Sequence, residues 1–256
     1  MNILALETSS QHCSVALQYD VGTQPTEKPI KIATRLDSTA LSHSRSLLAL
    51  IDEVLKEANL DLSELDAITV ARGPGSFTGL RIGIAVAQGL AFGHQLPVLP
   101  VSSLEAVAYN AFLYWRKQSV SIQAVLATMD ARMGELYCGW YDLRGDLPEL
   151  IGKEHVIKPA LLSKTGWPCL HTADAHQAHL VVDEINLSLS LTTAIAGQGL
   201  HYHTEFPSSL SQLPFELDVL PDAAALLPLA TRDFKLGLGI EPEALTPIYL
   251  RDNVTY

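Results

Sequence analysis

The sequence contains few cysteines, and their spacing builds no recognisable site. Only three occur among 256 residues, at Cys13, Cys138 and Cys169. No two of them share a C-x-x-C spacing, and their number is odd. This pattern excludes a disulfide framework and a thiolate zinc centre, and it favours a reducing compartment.

Long apolar runs and basic runs are also missing. The longest stretch of low charge, residues 82–99, is interrupted by Gln88, His94 and several glycines, and no basic segment precedes an apolar core at the N-terminus. We therefore predict no membrane span and no signal peptide, and we expect a cytoplasmic protein. The net charge is −11. Because Arg116-Lys117 is the densest basic stretch, any contact with a polyanion such as RNA is expected to be indirect, through another subunit.

The motifs of the common enzyme classes do not occur. The chain has neither a G-x-S-x-G elbow nor a Walker loop nor a G-x-G-x-x-G fingerprint. His43 begins an amphipathic helix, but no second histidine follows four residues later. His176 and His179 have helical spacing, which we interpret as a solvated helix face rather than a metal site. The sequence thus predicts no metal and no nucleophile, and a peptidase hypothesis rests only on abundant Ser and His.

The periodicity of apolar residues predicts two copies of one α/β pattern. Strands are expected at residues 3–6, 13–18 and 31–36, then a helix capped by Ser42, a strand at 65–71, a helix at 77–92, a strand at 96–101 and a helix at 103–117. This is the ribonuclease H-like order, with a mixed sheet covered by helices. A weaker copy follows, with strands at 122–129, 135–142, 155–157 and 193–196 and helices at 173–184 and 222–235. We predict an N-terminal lobe at residues 1–104, which a helix near 222–237 could join, and a smaller lobe at 105–256.

The strongest local signal is a glycine-rich segment, residues 72–83, between a predicted strand and a predicted helix. One interpretation makes Gly73, Gly75 and Ser76 contacts for a phosphate at a helix N-terminus. The other assigns the glycines to a tight turn and to close helix packing, because small residues recur every four positions. There are two such rows, the first at Gly79, Gly83, Ala87 and Ala91 and the second at Ala85, Gly89 and Gly93.

A polar turn follows the first predicted strand. Glu7, Thr8 and Ser9 place a carboxylate and hydroxyls where actin-like phosphotransferases meet nucleotide phosphate, so these three residues are candidate nucleotide contacts. Capping of the turn by the hydroxyls is the alternative.

The chain resembles the TsaB (YeaZ) family along its whole length. The resemblance is carried by residues 3–9, by His43-Ser44 with Leu47, Leu48 and Ile51, by residues 73–83, by residues 97–104, by Asp130-Ala131-Arg132 with Glu135 and Tyr137, and by residues 247–251. Glu7 stands where the family more often has Asp, and residues 20–29 look like an insertion.

The resemblance implies an α/β, actin-like (ASKHA) fold of two lobes, made of duplicated ribonuclease H-like halves of which the second is reduced. It also implies a non-catalytic subunit for tRNA threonylcarbamoyladenosine modification. Such a protein pairs with its paralogue TsaD, which holds a metal through a His-x-x-x-His helix, and with the ATPase TsaE. We expect a homodimer when the chain is alone, no tightly bound cofactor, and ATP or ADP only at the interface of the complex.

For the partner interface we predict the two helices that carry the family pattern. The named contacts are His43, Ser44, Leu47, Leu48, Ile51, Gly79, Gly83 and Ala87. The alternative for these residues is that they cover their own sheet. The alternative function for the whole chain is a nucleotide-dependent phosphotransferase or ATPase of the actin-like superfamily.

Overall fold

The computed structural model describes residues 1–21, 29–39, 43–164, 193–216 and 218–251. The chain divides into two compact units. Unit 1 combines residues 1–106 with 221–249, and unit 2 combines residues 107–220 with 250–256. Residues 221–249, which the sequence-based division left mainly in the second lobe, thus belong to unit 1.

Unit 1 is built on a five-stranded mixed sheet. Its strands are β1 (Ile3–Glu7), β2 (Cys13–Asp20), β3 (Ile30–Asp37), β4 (Ala67–Ala71) and β5 (Val98–Val101), in the order β3-β2-β1-β4-β5. The first three strands are antiparallel neighbours, and β4 and β5 run parallel to β1. The carboxyl ends of β1, β4 and β5 therefore meet at one edge of the sheet.

The described residues of the two units contain five α-helices and four short 3-10 helices. The α-helices of the described residues are α1 (His43–Ala58), α2 (Phe77–His94), α3 (Ser103–Lys117), α4 (Ser208–Ser211) and α5 (Ala223–Lys235), with short 3-10 helices at Leu62–Glu64, Pro159–Lys164, Gln198–Glu205 and Pro242–Ala244. In unit 1, α1 packs on β2 and β3, α2 on β4, and α5 on β1 and β2. Buried apolar side chains of α1 and α2 meet those of β1, β2 and β4 to form the core, because burying an apolar stripe is what stabilises an amphipathic helix.

Unit 2 repeats the same topology. Its strands are β6 (Ala124–Arg132), β7 (Glu135–Asp142), β8 (Glu149–Ile157), β9 (Thr193–Ala196) and β10 (Phe215–Glu216), in the order β10-β9-β6-β7-β8. β6, β7 and β8 are antiparallel neighbours, while β9 pairs parallel with β6 and β10 with β9. Read from β8, the order matches that of unit 1, which confirms the predicted actin-like fold of duplicated ribonuclease H-like halves.

Several boundaries differ from the prediction. The strand expected at residues 155–157 is the longer β8, whose Gly152 has a φ of 79° and interrupts the alternation that marks a strand. The two-residue β10 and the 3-10 helix Gln198–Glu205 were not predicted. The predicted cap Ser42 and the predicted helix at 173–184 lie outside the described residues. Within the described part of the chain, no helix is both long and apolar enough to cross a membrane.

Candidate functional site

Glu7, the last residue of β1, has a completely buried carboxyl group. Its Oε1 accepts hydrogen bonds from the backbone N–H of Ser9 at 2.5 Å and from the Ser9 hydroxyl at 2.6 Å. Its Oε2 has no hydrogen-bond partner among the described residues. Burial raises the pKa of Glu7 to about 7, against the lowering effect of the Ser9 hydrogen bonds, and the charge of Asp222 adds to the rise. This carboxyl group therefore titrates near neutral pH, where ordinary carboxyl groups are fully charged.

Thr8 packs against Gly79 and Gly83 in the first turns of α2. Its hydroxyl donates a hydrogen bond to the carbonyl oxygen of Gly79 at 2.8 Å. A Cβ added at Gly79 would lie 2.0 Å from the carbonyl oxygen of Thr8, and one at Gly83 would lie 2.3 Å from the Thr8 Oγ1. Real Cβ contacts are much longer, so Gly79 and Gly83 are required by the approach of the β1 turn to the helix.

The glycine loop before α2 packs on the same turn. The N–H of Ser76 donates to the carbonyl oxygen of Ser9 at 2.7 Å, and a Cβ at Gly75 would lie 2.4 Å from that oxygen. Gly73 adopts a φ of 105° and precedes a cis peptide bond to Pro74. Its own added Cβ would lie 2.9 Å from the carbonyl oxygen of Ile248. The loop is thus shaped by contacts with two other segments of unit 1.

These contacts use most of the polar groups predicted to meet a phosphate. The Thr8 hydroxyl binds Gly79, both donors of Ser9 bind Glu7, and the Ser76 side chain accepts from the N–H of Gly79 at 3.2 Å as the cap of α2. The structure brings the six candidate residues together, and it gives each glycine a packing role. Nucleotide binding by these residues stays a prediction.

The predicted partner residues fall into two groups. Leu47, Ile51, Gly79, Gly83 and Ala87 are buried in unit 1, so packing of α1 and α2 on their own sheet accounts for them. Ser44 and Leu48 lie on the surface, with Leu48 57% exposed. His43 is the first residue of α1, and its side chain lies outside the described set.

The second row of small residues on α2 is exposed to solvent. Ala85, Gly89 and Gly93 are exposed, and a Cβ added at Gly89 or Gly93 would meet nothing within 4 Å. Phe92 lies on the same side of the helix and is 68% exposed. The small residues of α2 that are exposed to solvent are therefore those of the second row, and not those of the first. Leu80 and Ile84 could have indicated which side of α2 is buried, because they are apolar and lie on the side of the first row.

An aromatic and cationic cluster at the start of α2 was not predicted. The guanidinium carbon of Arg81 lies 3.7 Å from the ring centroid of Phe77. The Arg81 Nε donates to the hydroxyl of Tyr249 at 3.2 Å, and the rings of Phe77 and Tyr249 are 5.5 Å apart. Both rings are exposed. The C-terminal segment that carries Tyr249 is part of the family pattern, which was the available signal.

In unit 2, the Asp130-Ala131-Arg132 motif forms the tip of the β6–β7 hairpin. Arg132, Met133 and Gly134 have positive φ, and the Asp130 carboxylate accepts from the N–H of Arg132 at 2.8 Å. Arg251 binds the carboxylate of Glu135 and donates to the carbonyl oxygen of Ala131 at 3.3 Å. Arg251 and the hairpin tip of unit 2 are thus joined by hydrogen bonds.

The histidines show no ligand arrangement in the described part of the chain. No group of three or more His, Cys, Asp or Glu side chains there could hold a metal ion. The ring of His201 lies 3.9 Å from that of Tyr202, and His203 lies 5.3 Å from Phe215, so ring packing accounts for these two. His171, His176 and His179 lie outside the described residues.

Comparison with known proteins identifies the family. A family model described as "TsaD: tRNA N6-adenosine threonylcarbamoyltransferase" matches residues 37–254. A protein of Escherichia coli strain K12, "tRNA threonylcarbamoyladenosine biosynthesis protein TsaB", is 32% identical over 260 residues, which cover 100% of this chain and 97% of that protein. The chain belongs to the TsaB (YeaZ) family. A TsaB protein of Haemophilus influenzae is 34% identical, with 100% of this chain and 96% of that protein covered.

A solved structure agrees with this assignment. The structure "YeaZ from Pseudomonas aeruginosa" matches this TsaB-family chain with a TM-score of 0.74 and 34% identity, over 97% of this chain and 99% of that chain. The resemblance found in the sequence motifs is thereby confirmed.

Proposed function

We propose that this TsaB-family chain is a non-catalytic subunit for the biosynthesis of threonylcarbamoyladenosine in tRNA, acting with TsaD and TsaE in the cytoplasm. The names of its full-length relatives support the process. The observation that carries the non-catalytic role is the start of α1. A His-x-x-x-His pair beginning at His43 would need its second histidine at position 47, and Leu47 stands there with its side chain fully buried in the core. That position offers no metal ligand.

The pairing with TsaD is proposed to use the exposed faces of α1 and α2. Leu48 and Phe92 are large apolar residues exposed to solvent, and Ala85, Gly89 and Gly93 form a strip of small exposed residues on α2. Small residues let two helices approach closely, and neighbouring large apolar groups supply the buried area of an interface. A TsaD helix pair packed on this strip would complete a four-helix contact.

The charge of the chain supports an indirect relation to tRNA. The net charge of −11 repels a polyanion, and some of the described basic residues are paired with carboxylates, as Arg35 is with Glu53 and Glu57. Because phosphate neutralisation needs clustered Lys and Arg, we propose that another subunit holds the tRNA.

A reconstituted modification assay tests the function. Unmodified tRNA is incubated with TsaD, TsaE, the synthase that makes the threonylcarbamoyl adenylate, threonine, bicarbonate and ATP, with or without this chain. We expect product only when the chain is added, and no product from the chain alone. Equal product without the chain would contradict the proposal.

A variant pair links the assay to the surface. Leu48→Arg places a charge in the proposed interface and is expected to abolish stimulation while the chain stays folded. Ala49→Arg is the matched control, because Ala49 is also exposed and successive helical residues point about 100° apart. Equal loss of activity in both variants would count against the surface.

The carboxyl edge of the unit 1 sheet favours one alternative, a nucleotide-dependent phosphotransferase or ATPase. Three buried polar atoms, Glu7 Oε2, Arg72 Nε and Ser103 Oγ, have no hydrogen-bond partner among the described residues. Glu7 ends β1, while Arg72 and Ser103 come just after β4 and β5. Ligands of open α/β sheets bind at this edge. Titration of the isolated chain with ATP separates the two functions. Tight binding that is lost in Thr8→Ala would favour the alternative, whereas we propose that ATP or ADP binds only at the interface of the complex.

A further inference from the structure

The tip of the β6–β7 hairpin in unit 2 places a methionine in solvent. Met133 and Gly134 join the two strands with φ values of 56° and 73°, and two-residue hairpin turns require positive φ of this kind. Asn, Asp and Gly adopt this conformation readily, whereas a residue with a long side chain does so rarely. Met133 is also 77% exposed. Neither the turn nor burial therefore accounts for a methionine at this position.

The sulfur of Met133 lies against the guanidinium group of Arg251. The Arg251 Nη1 donates a hydrogen bond to the Met133 Sδ at 3.3 Å. The same guanidinium binds the Glu135 carboxylate and donates to the carbonyl oxygen of Ala131 at 3.3 Å, and the Arg251 side chain is only 19% exposed. Glu135 and the hairpin backbone thus hold the cation in place beside the sulfur.

This contact joins a strong donor to a weak acceptor. A guanidinium group is charged and forms strong hydrogen bonds with polar oxygens, whereas a thioether sulfur accepts only weakly. A more polar acceptor on the Met133 side chain would therefore bind Arg251 more strongly. Oxidation of the sulfur to a sulfoxide supplies such an acceptor, because it makes the side chain polar and adds an oxygen.

The other methionines are less accessible to a dissolved oxidant. The chain has three methionines. Met129 lies in β6 and is 4% exposed, and Met1 is partly buried. Because a peroxide must collide with the sulfur to oxidise it, Met133 is the methionine that a peroxide in solution reaches most easily.

We propose that Met133 is a site of reversible oxidation by hydroperoxides, and that Arg251 binds the sulfoxide. A lone pair of the sulfur attacks one oxygen of hydrogen peroxide, so an S–O bond forms as the O–O bond breaks. The proton of the transferred oxygen moves to the departing hydroxide, which leaves as water. The sulfur loses two electrons and the peroxide gains them. The sulfur has two lone pairs, so the one that accepts from Arg251 leaves the other open to this attack.

The modification is removable, and it strengthens a contact. A methionine sulfoxide reductase returns the sulfur to the thioether, while its thiols form a disulfide and the oxygen leaves as water. In a buried methionine the added oxygen would disrupt apolar packing. At the exposed Met133 it gains a charge-assisted hydrogen bond instead, so the oxidised hairpin tip holds Arg251 more firmly than the reduced tip does.

The first experiment maps the reaction on the full chain. The protein is treated with hydrogen peroxide, and the sulfoxide at each methionine is followed by mass spectrometry of its peptides. We expect Met133 to be oxidised about tenfold faster than Met129 or more, and methionine sulfoxide reductases with a thiol to restore the thioether. Equal rates at the two positions, or a Met133 sulfoxide that the reductases leave in place, would overturn the proposal.

The second experiment measures how firmly Arg251 is held. Trypsin cleaves after an arginine whose side chain enters its specificity pocket, so cleavage after Arg251 requires the guanidinium group to leave the hairpin. We expect oxidation to slow this cleavage about threefold or more, because proteolysis follows the population of the open form. Cleavage after Lys117, an exposed residue at the end of α3, is the internal control and is expected to keep its rate. Unchanged or faster cleavage after Arg251 in the oxidised chain would contradict the binding of the sulfoxide.

Two substitutions of Met133 separate the sulfoxide from other effects of peroxide. Both are expected to fold like the wild type, because Met133 is exposed. Met133→Leu has no sulfur, so its cleavage after Arg251 is expected to be the same with and without peroxide. Met133→Gln carries an amide oxygen that accepts from a guanidinium group, so it is expected to slow this cleavage without peroxide. A peroxide effect that persists in Met133→Leu would assign the change to another residue and overturn the proposal.

Discussion

The two rows of small residues on α2 have the same four-residue spacing and opposite surroundings. The first row, which we call the inner row, consists of Gly79, Gly83, Ala87 and Ala91 and is buried in unit 1, with Thr8 packed between the two glycines. The second row, which we call the outer row, consists of Ala85, Gly89 and Gly93 and is exposed. Gly89 and Gly93 face open space. A row of small residues can thus be packed inside a unit or lie exposed on its surface, and spacing alone does not separate the two.

The largest expected effect on stability comes from a substitution in the inner row. Gly79→Ala places a Cβ 2.0 Å from the backbone oxygen of Thr8, which no rotamer change can relieve. We expect a loss of about 3 kcal/mol or more in the free energy of unfolding, measured by urea denaturation. A loss under about 1 kcal/mol would show that the turn and the helix can separate without cost.

The next effect concerns the turn on which the inner row packs. Glu7 has a raised pKa of about 7 in the folded chain against an ordinary value of 4.5, so its protonated form is favoured by folding. The protonated Glu7 carboxyl group stabilises the folded chain below pH 4.5. This stabilisation falls as the pH rises from 4.5 to 7, at about 1.4 kcal/mol per pH unit, so up to about 3 kcal/mol is lost.

Glu7→Gln measures this contribution. The variant cannot ionise, so the difference in unfolding free energy between wild type and variant is expected to change in favour of the variant from pH 4.5 to 7. A difference that is constant with pH would mean that the Glu7 carboxyl group is not held in the buried environment described.

The outer row gives the third prediction. Ala85→Arg adds a large charged side chain to an exposed position, so stability is expected to change by less than about 0.5 kcal/mol. Binding to TsaD, measured by titration calorimetry, is expected to weaken at least tenfold, about 1.4 kcal/mol. Gln118→Arg, at an exposed position after α3 and away from α1 and α2 in the sequence, serves as a control for added charge.

The smallest expected effect is a stabilisation in the outer row, opposite to the destabilisation expected in the inner row. Gly89→Ala adds a methyl group in open space within a helix, so we expect thermal unfolding to show a stabilisation of about 0.5–1 kcal/mol. The contrast with Gly79→Ala, the same substitution in the same helix, measures the difference between the rows directly. Destabilisation at Gly89 would mean that this side of α2 is already covered in the free chain.

Apolar periodicity and turn residues in the sequence predict much of the order of strands and helices. The strand and helix order of unit 1 and the duplicated topology follow from apolar spacing, and the motif segments identified the family. β8 was found only at its end, because Gly152 and the charged Lys153 and Glu154 disturb its alternation. Its partner β7 specifies it instead, through a register with an irregularity near Cys138.

The details of the site depend on contacts between distant segments. That Gly75 is needed by Ser9, and Gly73 by Ile248, requires knowing that the β1 turn, the glycine loop and the C-terminal segment meet. Local sequence cannot show this. The exposure of Leu48 beside the buried Leu47 could be predicted from the helical angle, once the buried side of α1 is fixed by Ile51 and Val54.

The most direct test of the central claim is the rate of maleimide labelling at one engineered cysteine, with and without TsaD. In a Cys169→Ser background, Ala85→Cys reports the outer row and Ala87→Cys the inner row, while native Cys13 and Cys138 are buried. We predict that Ala85→Cys reacts quickly in the free chain and at least tenfold more slowly with TsaD, and that Ala87→Cys reacts slowly in both. Unchanged labelling of Ala85→Cys when TsaD is bound, or the failure of TsaD to bind, would contradict the account.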